Sequence, residues 1–426
     1  MTASEKNSYR RPAHEQRRVV ITGLSAITPL GNSAQQSWQA LVNGRSGIAK
    51  ITQYNATGHT VQIAGEVKNF PIDDYIPKKD QKKMDRFSYF SLAAAHMALE
   101  DSGLELTDAI CERTGVLVGV GIGGLPFIEK QFSLVEKRGP SRNSPFFIPA
   151  VAPNMSAGYI SVKYGTKGPN YVLSSACASG AHAIGEATAY IRNGQCDVMF
   201  TGGTEGSVCI LTVSGFASMK ALSTRNSQPQ VASRPWDRDR DGFVLSEGCG
   251  MLILEEYEHA VKRNARIYGE LTGYGFSSDG FHMTNPPPNG IGAAAAMEMA
   301  ISDAMIDSSN IDYINAHGTS TPLGDQAETE GIKRALGDHA KDVWVSSTKS
   351  MIGHTLGAAG AIESVFAIQT LHHGIIPPTI NLDNPSLEND LDYVPHTARE
   401  KRLRHVMNNS FGFGGTNASL IFSKLD

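Results

Sequence analysis

The chain has 426 residues, 41% hydrophobic and 19% charged, with 43 glycines and 20 prolines, a soluble globular composition long enough for two or three cores or one large fold of two similar halves. Its 38 basic and 42 acidic side chains leave a formal net charge of −4, so no global positive field draws in nucleic acid or an anionic membrane. Five cysteines without a C-x-x-C pair indicate neither a disulfide framework nor structural zinc and fit a reducing cytoplasm.

Residues 1–16 mix basic residues with Glu5 and Glu15 and lack an apolar stretch of secretory length, which predicts a disordered arm. No apolar run approaches the ~18–20 residues of a membrane span. From Arg17 onward short β-branched runs recur at Val19–Gly23, Thr114–Val120, Val198–Gly203, Met251–Leu254, Tyr313–Ala316, Val343–Ser347 and Ala418–Phe422. Ala-rich segments at helical spacing lie between them at Tyr89–Asp101, Gly180–Asn193, Ala293–Met305 and Gly357–Leu371. Strands alternating with helices predict an α/β fold whose mixed or parallel sheets are buried on both faces. The least ordered stretches by composition are residues 1–16, Gly139–Pro153 and Asn285–Gly292.

Tyr171–Ser175 reads as a strand and Gly180–Asn193 as a helix, so Cys177 falls at the helix N-terminus among the small residues Ala176, Ala178, Ser179 and Gly180. Unsatisfied N–H groups there favour a thiolate and predict a pKa below the ~8.5 of a free thiol. On its residues alone Cys177 is either a nucleophile or buried packing. Gly119–Gly124 suggests a phosphate cradle, but no Lys-Ser/Thr follows it, so a P-loop is excluded.

His317 in Ala316-His317-Gly318-Thr319-Ser320-Thr321 and His354 in Lys349-Ser350-Met351-Ile352-Gly353-His354 both stand at strand ends rich in Gly and hydroxyl residues. With no close third ligand, zinc is disfavoured; hydrogen-bond donation to an oxyanion or enolate, or base chemistry beside a thiolate, needs no such spacing. Lys349 is either a surface charge or, with Glu363, a partner that orients a histidine.

Ser175–Gly180, Ala316–Thr321, Lys349–His354 and Ser410-Phe411-Gly412-Phe413-Gly414-Gly415-Thr416-Asn417 together closely resemble the signatures of the β-ketoacyl-acyl carrier protein synthases, the bacterial synthase II type most of all. The likeness covers residues 17–426 in the right order. It implies a thiolase-like fold: an N-terminal half over 17–265 carrying the cysteine, a C-terminal half over 266–426 carrying the histidines, and mixed sheets in a five-layered αβαβα core, usually as a homodimer. Cys177 would take an acyl group from acyl carrier protein, and malonyl-carrier protein would then decarboxylate and attack the thioester.

The resemblance gives His317 and His354 the enolate and assigns the oxyanion hole to the backbone N–H groups of Cys177 and Phe413. Lys349 and Glu363 would hold the histidine pair, and Thr319 and Thr321 the phosphopantetheine arm. Ile122 and Phe216 would line the acyl pocket, while Phe411 and Gly414 belong to a gate over Cys177. Lys79, Lys82, Lys83 and Lys220 would dock the acidic carrier protein. No cofactor and no catalytic metal is implied, and a structural monovalent cation has no sequence signature. The alternative within the chemistry is a ketosynthase of a dissociated polyketide system. A non-condensing chain-length factor is disfavoured by Cys177, a thiolase by the absence of a second C-terminal cysteine, and a dinucleotide-binding unit by the lack of G-x-G-x-x-G after Val19–Gly23.

Overall fold

The computed structural model describes residues 17–425, so the arm expected over 1–16 lies outside the described residues. Ten strands form one continuous sheet. The first five are β1 (Val19–Ile27), β2 (Thr114–Val120), β3 (Asn170–Leu173), β4 (Val198–Glu205) and β5 (Gly248–Glu256); the second five are β6 (Gly269–Ser278), β7 (Tyr313–Asn315), β8 (Trp344–Ser346), β9 (His405–Gly412) and β10 (Thr416–Ser423). Their spatial order is β8-β7-β9-β10-β6-β1-β5-β4-β2-β3.

Read outward from the β1/β6 junction, the two halves repeat one topology. In each, the first strand pairs antiparallel with the fifth, the fifth antiparallel with the fourth, the fourth parallel with the second, and the second parallel with the third. The halves meet where Val20 and Ile21 of β1 pair antiparallel with Glu270 and Gly269 of β6. The duplication is thus carried by strand order and direction, features that survive without residue identity.

Six helices complete the layers: α1 (Arg86–Ser102), α2 (Met155–Tyr164), α3 (Ser179–Arg192), α4 (Ile291–Ala304), α5 (Pro322–Leu336) and α6 (Ala359–His373). Helices α1 and α2 pack outside the first half, α4 outside the second with α5 against it, and α3 and α6 lie between the halves and touch strands of both. This is the five-layered αβαβα arrangement of a thiolase-like fold. Every residue of α6 from Ala359 to Leu371 is buried, as expected for a helix enclosed on all sides. Small residues let the central helices approach: a Cβ on Gly180 would lie 2.9 Å from the Ala361 nitrogen, and one on Gly360 2.8 Å from Ala181.

The predicted elements are present with bounds moved by at most four residues. Strands β6 and β9 and helices α2 and α5 lie outside the predicted runs; Gly269, Gly273 and Gly275 interrupt the β6 pattern, and Gly324 and Gly331 that of α5. The irregular stretch expected over Gly139–Pro153 contains a 3-10 turn at Pro140–Arg142 and a short helix at Phe147–Val151, and α4 begins inside the stretch expected to be loop up to Gly292.

Candidate active site

Strand β3 ends at Leu173, and the chain turns through Ala176 at φ +50° before α3 starts at Ser179. Left-handed backbone at a non-glycine residue is strained, and here it lifts Cys177 between the strand and the helix. A Cβ on Gly119 would lie 2.3 Å from the Ser179 carbonyl carbon, so β2 seats the beginning of α3 by bare backbone contact. The Cys177 side chain is buried, and burial pushes its thiol up to about 12 against the pull of Lys349 and of a Phe413 N–H bond. The lowered pKa expected from the helix N-terminus is therefore corrected: desolvation of the thiolate outweighs Lys349 and the Phe413 N–H.

His354 Nε2 lies 3.0 Å from Cys177 Sγ. The His317 and His354 rings stand 5.2 Å apart, nearly perpendicular, and the Nδ1 atom of each is buried without a hydrogen-bond partner. Burial and, after it, the Lys349 ammonium hold both imidazoles well below their usual 6.5, so both are neutral near pH 7. Lys349 is 1% exposed and paired with fully buried Glu363 through Oε1. Burial pushes Glu363 up to about 7 although Lys349 opposes it. Of the two alternatives for Lys349, the surface charge is ruled out.

The cysteine, both histidines, Ile122, Phe216, Thr319, Thr321, Phe411 and Phe413 line one cavity of about 490 Å³. Thr319 and Thr321 share a hydroxyl contact of 2.9 Å, and Phe411 packs against His317 with ring centroids 5.7 Å apart. Gly414 and Gly415 take φ of +85° and +72° in the turn between β9 and β10. That turn is latched to a neighbouring segment: Gly414 N–H donates to Met283 O, Asp279 N–H to Gly415 O, and Asn417 Nδ2 to Asp279 Oδ1, all at 2.8 Å.

The predicted docking lysines divide between the cavity wall and the surface segment over residues 79–83. Lys220 is on the cavity wall, whereas Lys79 and Lys82 are exposed elsewhere and Lys83 is half-buried in an ion pair with Asp80 at 2.6 Å. Arg86, which reads in sequence as part of the same basic run, is bound by buried Glu247.

Two site residues have no sequence signal. Glu328 on α5 accepts the His317 and Gly318 N–H groups at 2.8 and 2.7 Å and so fixes the backbone beneath the histidine. Asp279 holds the latch. Both act on residues brought near by the fold, so no local spacing announces them. Among the described residues no group of three His, Cys, Asp or Glu side chains is arranged to hold a metal ion.

Residues 16–260 match the family model "Beta-ketoacyl synthase, N-terminal domain", and residues 268–383 match "Beta-ketoacyl synthase, C-terminal domain". The chain belongs to the β-ketoacyl synthase family. Similar relatives include 3-oxoacyl-[acyl-carrier-protein] synthase 2 of Vibrio harveyi, 51% identical with 96% of this chain and 99% of that one covered. The enzyme of the same name from Staphylococcus aureus strain N315 is 44% identical over 97% and 99%. A crystal structure of a β-ketoacyl synthase from Burkholderia phymatum superimposes with a TM-score of 0.89 at 36% identity, covering 96% of this chain and all of that one. So does a type II polyketide ketosynthase in complex with its acyl-carrier protein, with a TM-score of 0.90 at 34% identity and the same coverage. In this β-ketoacyl synthase all five cysteines are free and buried, and no helix among the described residues is long and apolar enough to cross a membrane.

Proposed function

We propose that this β-ketoacyl synthase elongates acyl chains in type II fatty acid synthesis by decarboxylating Claisen condensation, through an acyl thioester on Cys177. The observation that carries the reading is a thiol 3.0 Å from an imidazole, with a second imidazole beside it, inside one cavity. Identity of about half to the 3-oxoacyl-[acyl-carrier-protein] synthase 2 of Vibrio harveyi, against about a third to the polyketide ketosynthase, favours the fatty acid pathway.

In the first half-reaction the Cys177 sulfur attacks the thioester carbonyl of an acyl-carrier protein while its proton passes to His354 Nε2. The carbon–sulfur bond to the carrier arm breaks, and the departing thiolate takes that proton. The N–H groups of Cys177 and Phe413 receive the carbonyl oxygen as it gains charge. A buried thiol beside a neutral imidazole suits this route, because proton transfer accompanies bond formation and no thiolate has to persist.

Acylation removes the sulfur's bond to His354, whose Nε2 then joins that of His317 as a donor once it carries the ring proton. Malonyl-carrier protein loses carbon dioxide, and the electron pair left on carbon is held as an enolate whose oxygen accepts from the two imidazoles. The carbon attacks the Cys177 thioester, the enzyme carbon–sulfur bond breaks, the departing Cys177 thiolate takes up one proton from solvent to restore the thiol, and the product is two carbons longer. The carboxylate itself is the source of the carbanion, so the reaction calls for no cofactor. Burial and the Lys349 ammonium keep both imidazoles neutral, and Glu363 holds Lys349 in place; Thr319 and Thr321 hydrogen-bond the phosphopantetheine arm; Ile122 and Phe216 take the acyl chain; Phe411 and Gly414 move with the gate.

The partner is an acyl carrier protein carrying acyl and malonyl groups, with Lys220 at the cavity and exposed Lys79 and Lys82 as steering charges and Lys83 in a lesser part. A homodimer is supported by the unpaired outer edge of β3 and by exposed apolar side chains near it, and a reducing cytoplasm by the free cysteines. The test is intact-mass analysis after mixing the enzyme with long-chain acyl-carrier protein and then malonyl-carrier protein. An adduct on Cys177 that discharges as the elongated β-ketoacyl product is expected; no adduct with any fatty acyl donor would sink the reading.

A further inference from the structure

The glycine-rich segment that fails as a P-loop does cradle an anion, and the anion is the protein's own. Glu205, the last residue of β4, is fully buried. Its Oε2 accepts the N–H groups of Gly121 and Ile122, each at 3.0 Å, and of Gly357 at 3.3 Å, and its Oε1 accepts that of Gly123 at 3.1 Å. The four donors are all backbone amides. The fit depends on missing side chains, since a Cβ on Gly121 would lie 2.6 Å from Glu205 Oε2 and one on Gly357 would lie 2.1 Å from the Gly121 nitrogen.

The carboxylate thus ties together two pieces of the cavity. Ile122 is on its wall and packs in one apolar cluster with Cys177, Phe216 and Leu356. Gly357 closes the turn that begins at His354 and passes through Leu356, another wall residue. A carboxylate has lone pairs for four donors, whereas an amide of the same shape has one acceptor oxygen and turns an NH2 group toward an N–H. The buried donor left over is then unsatisfied and must move.

We propose that Glu205 is a positioning residue that pins Ile122 to the His354–Gly357 turn and so sets which acyl chain lengths Cys177 accepts. This rests on the reading of the cavity as the acyl site. A purely electrostatic role has the opposite sign: the Glu205 charge raises the Cys177 thiol, so neutralising it would speed acylation, and equally for every donor.

Acylation of Cys177 from short-chain and long-chain acyl-carrier proteins is to be followed by intact mass in the wild type, in Glu205→Gln and in Gly121→Ala, which displaces the carboxylate from the other side. The ratio of long-chain to short-chain rates is expected to change about tenfold in both variants, the equivalent of one lost charge-assisted hydrogen bond. Adding Glu205→Gln to Ile122→Ala should then change the ratio no further than Ile122→Ala does alone. An unchanged ratio, an equal change for all donors, or failure of both variants to fold overturns the proposal. Absence of any adduct in the wild type is a different result: it removes the acyl-site reading itself, and this inference with it.

Discussion

At Cys177 the sequence and the structure point in opposite directions about charge. Position beside a helix start argues for a thiolate, and burial argues against one, with burial prevailing at about 12. Alkylation by iodoacetamide, followed by mass across pH, is therefore expected to be slower at pH 7 than for a free cysteine and to keep rising beyond pH 9; a plateau below pH 8 would refute the neutral thiol. The same shift bears on stability. Above pH 9 the unfolded thiol loses its proton while the native one keeps it, so its contribution to stability falls as pH rises toward 12. The histidines divide by contact. The Nδ1 of His317 has no hydrogen-bond partner among the described residues, so His317→Ala should leave acylation near wild type and slow malonyl decarboxylation by about 10²–10³, the usual loss for one oxyanion donor. His354 touches the sulfur, and His354→Ala should slow both half-reactions, with Cys177→Ser abolishing the adduct; equal acylation in the two histidine variants would contradict this division. Cys177, the histidines and Lys349 were legible as candidates because each sits in a short motif, although on the residues alone the roles of Cys177 and Lys349 stayed open. Glu205 and Asp279 were not, because their partners are gathered from distant segments, and Glu328 was not, because its partners 11 and 10 residues away are bare backbone amides.

Among the elements, the β9–β10 turn is the one whose glycines have separable roles. Gly414 and Gly415 share left-handed backbone, which costs an alanine about 1–2 kcal/mol. A Cβ at Gly414 meets nothing within 4 Å, whereas one at Gly415 would lie 2.8 Å from Asp279 Cβ. Gly414→Ala should therefore lower stability by about 1 kcal/mol and slow acylation of Cys177 less than Gly415→Ala does. Gly415→Ala should also break the latch to Asp279 and slow acylation severalfold. Thermal melts read beside acylation rates check the pair, and equal acylation rates in both would mean that the latch to Asp279 does not govern access. The strand runs themselves were readable because buried β strands concentrate β-branched residues, as in β2, where all seven residues are buried. The latch was not, since a lone aspartate in a loop has no pattern to betray what it holds.

For the whole molecule, the repeated strand order leaves two outer edges, and they are treated differently. At one edge β8 is covered by the chain near Asp392, which bridges to Trp344 and accepts the Val345 N–H at 2.9 Å. At the other, β3 pairs only with β2 among the described residues. An open edge is a template for another strand unless it is blunted. Here it is not: helix α2 beside it exposes Val162 at 83%, and the adjoining helix Phe147–Val151 and segment Leu125–Arg138 expose Ile148 and Phe132 at 69% and 67%. Apolar groups so exposed, lying next to an unpaired strand, mark a surface that a partner would cover, and in the proposed homodimer that partner is the matching edge of a second copy. Val162→Glu combined with Phe132→Glu should halve the mass measured by light scattering while leaving the helical circular dichroism unchanged. A wild-type enzyme that runs as a monomer at micromolar concentration, or a variant that stays dimeric, would show that this face is not where copies meet.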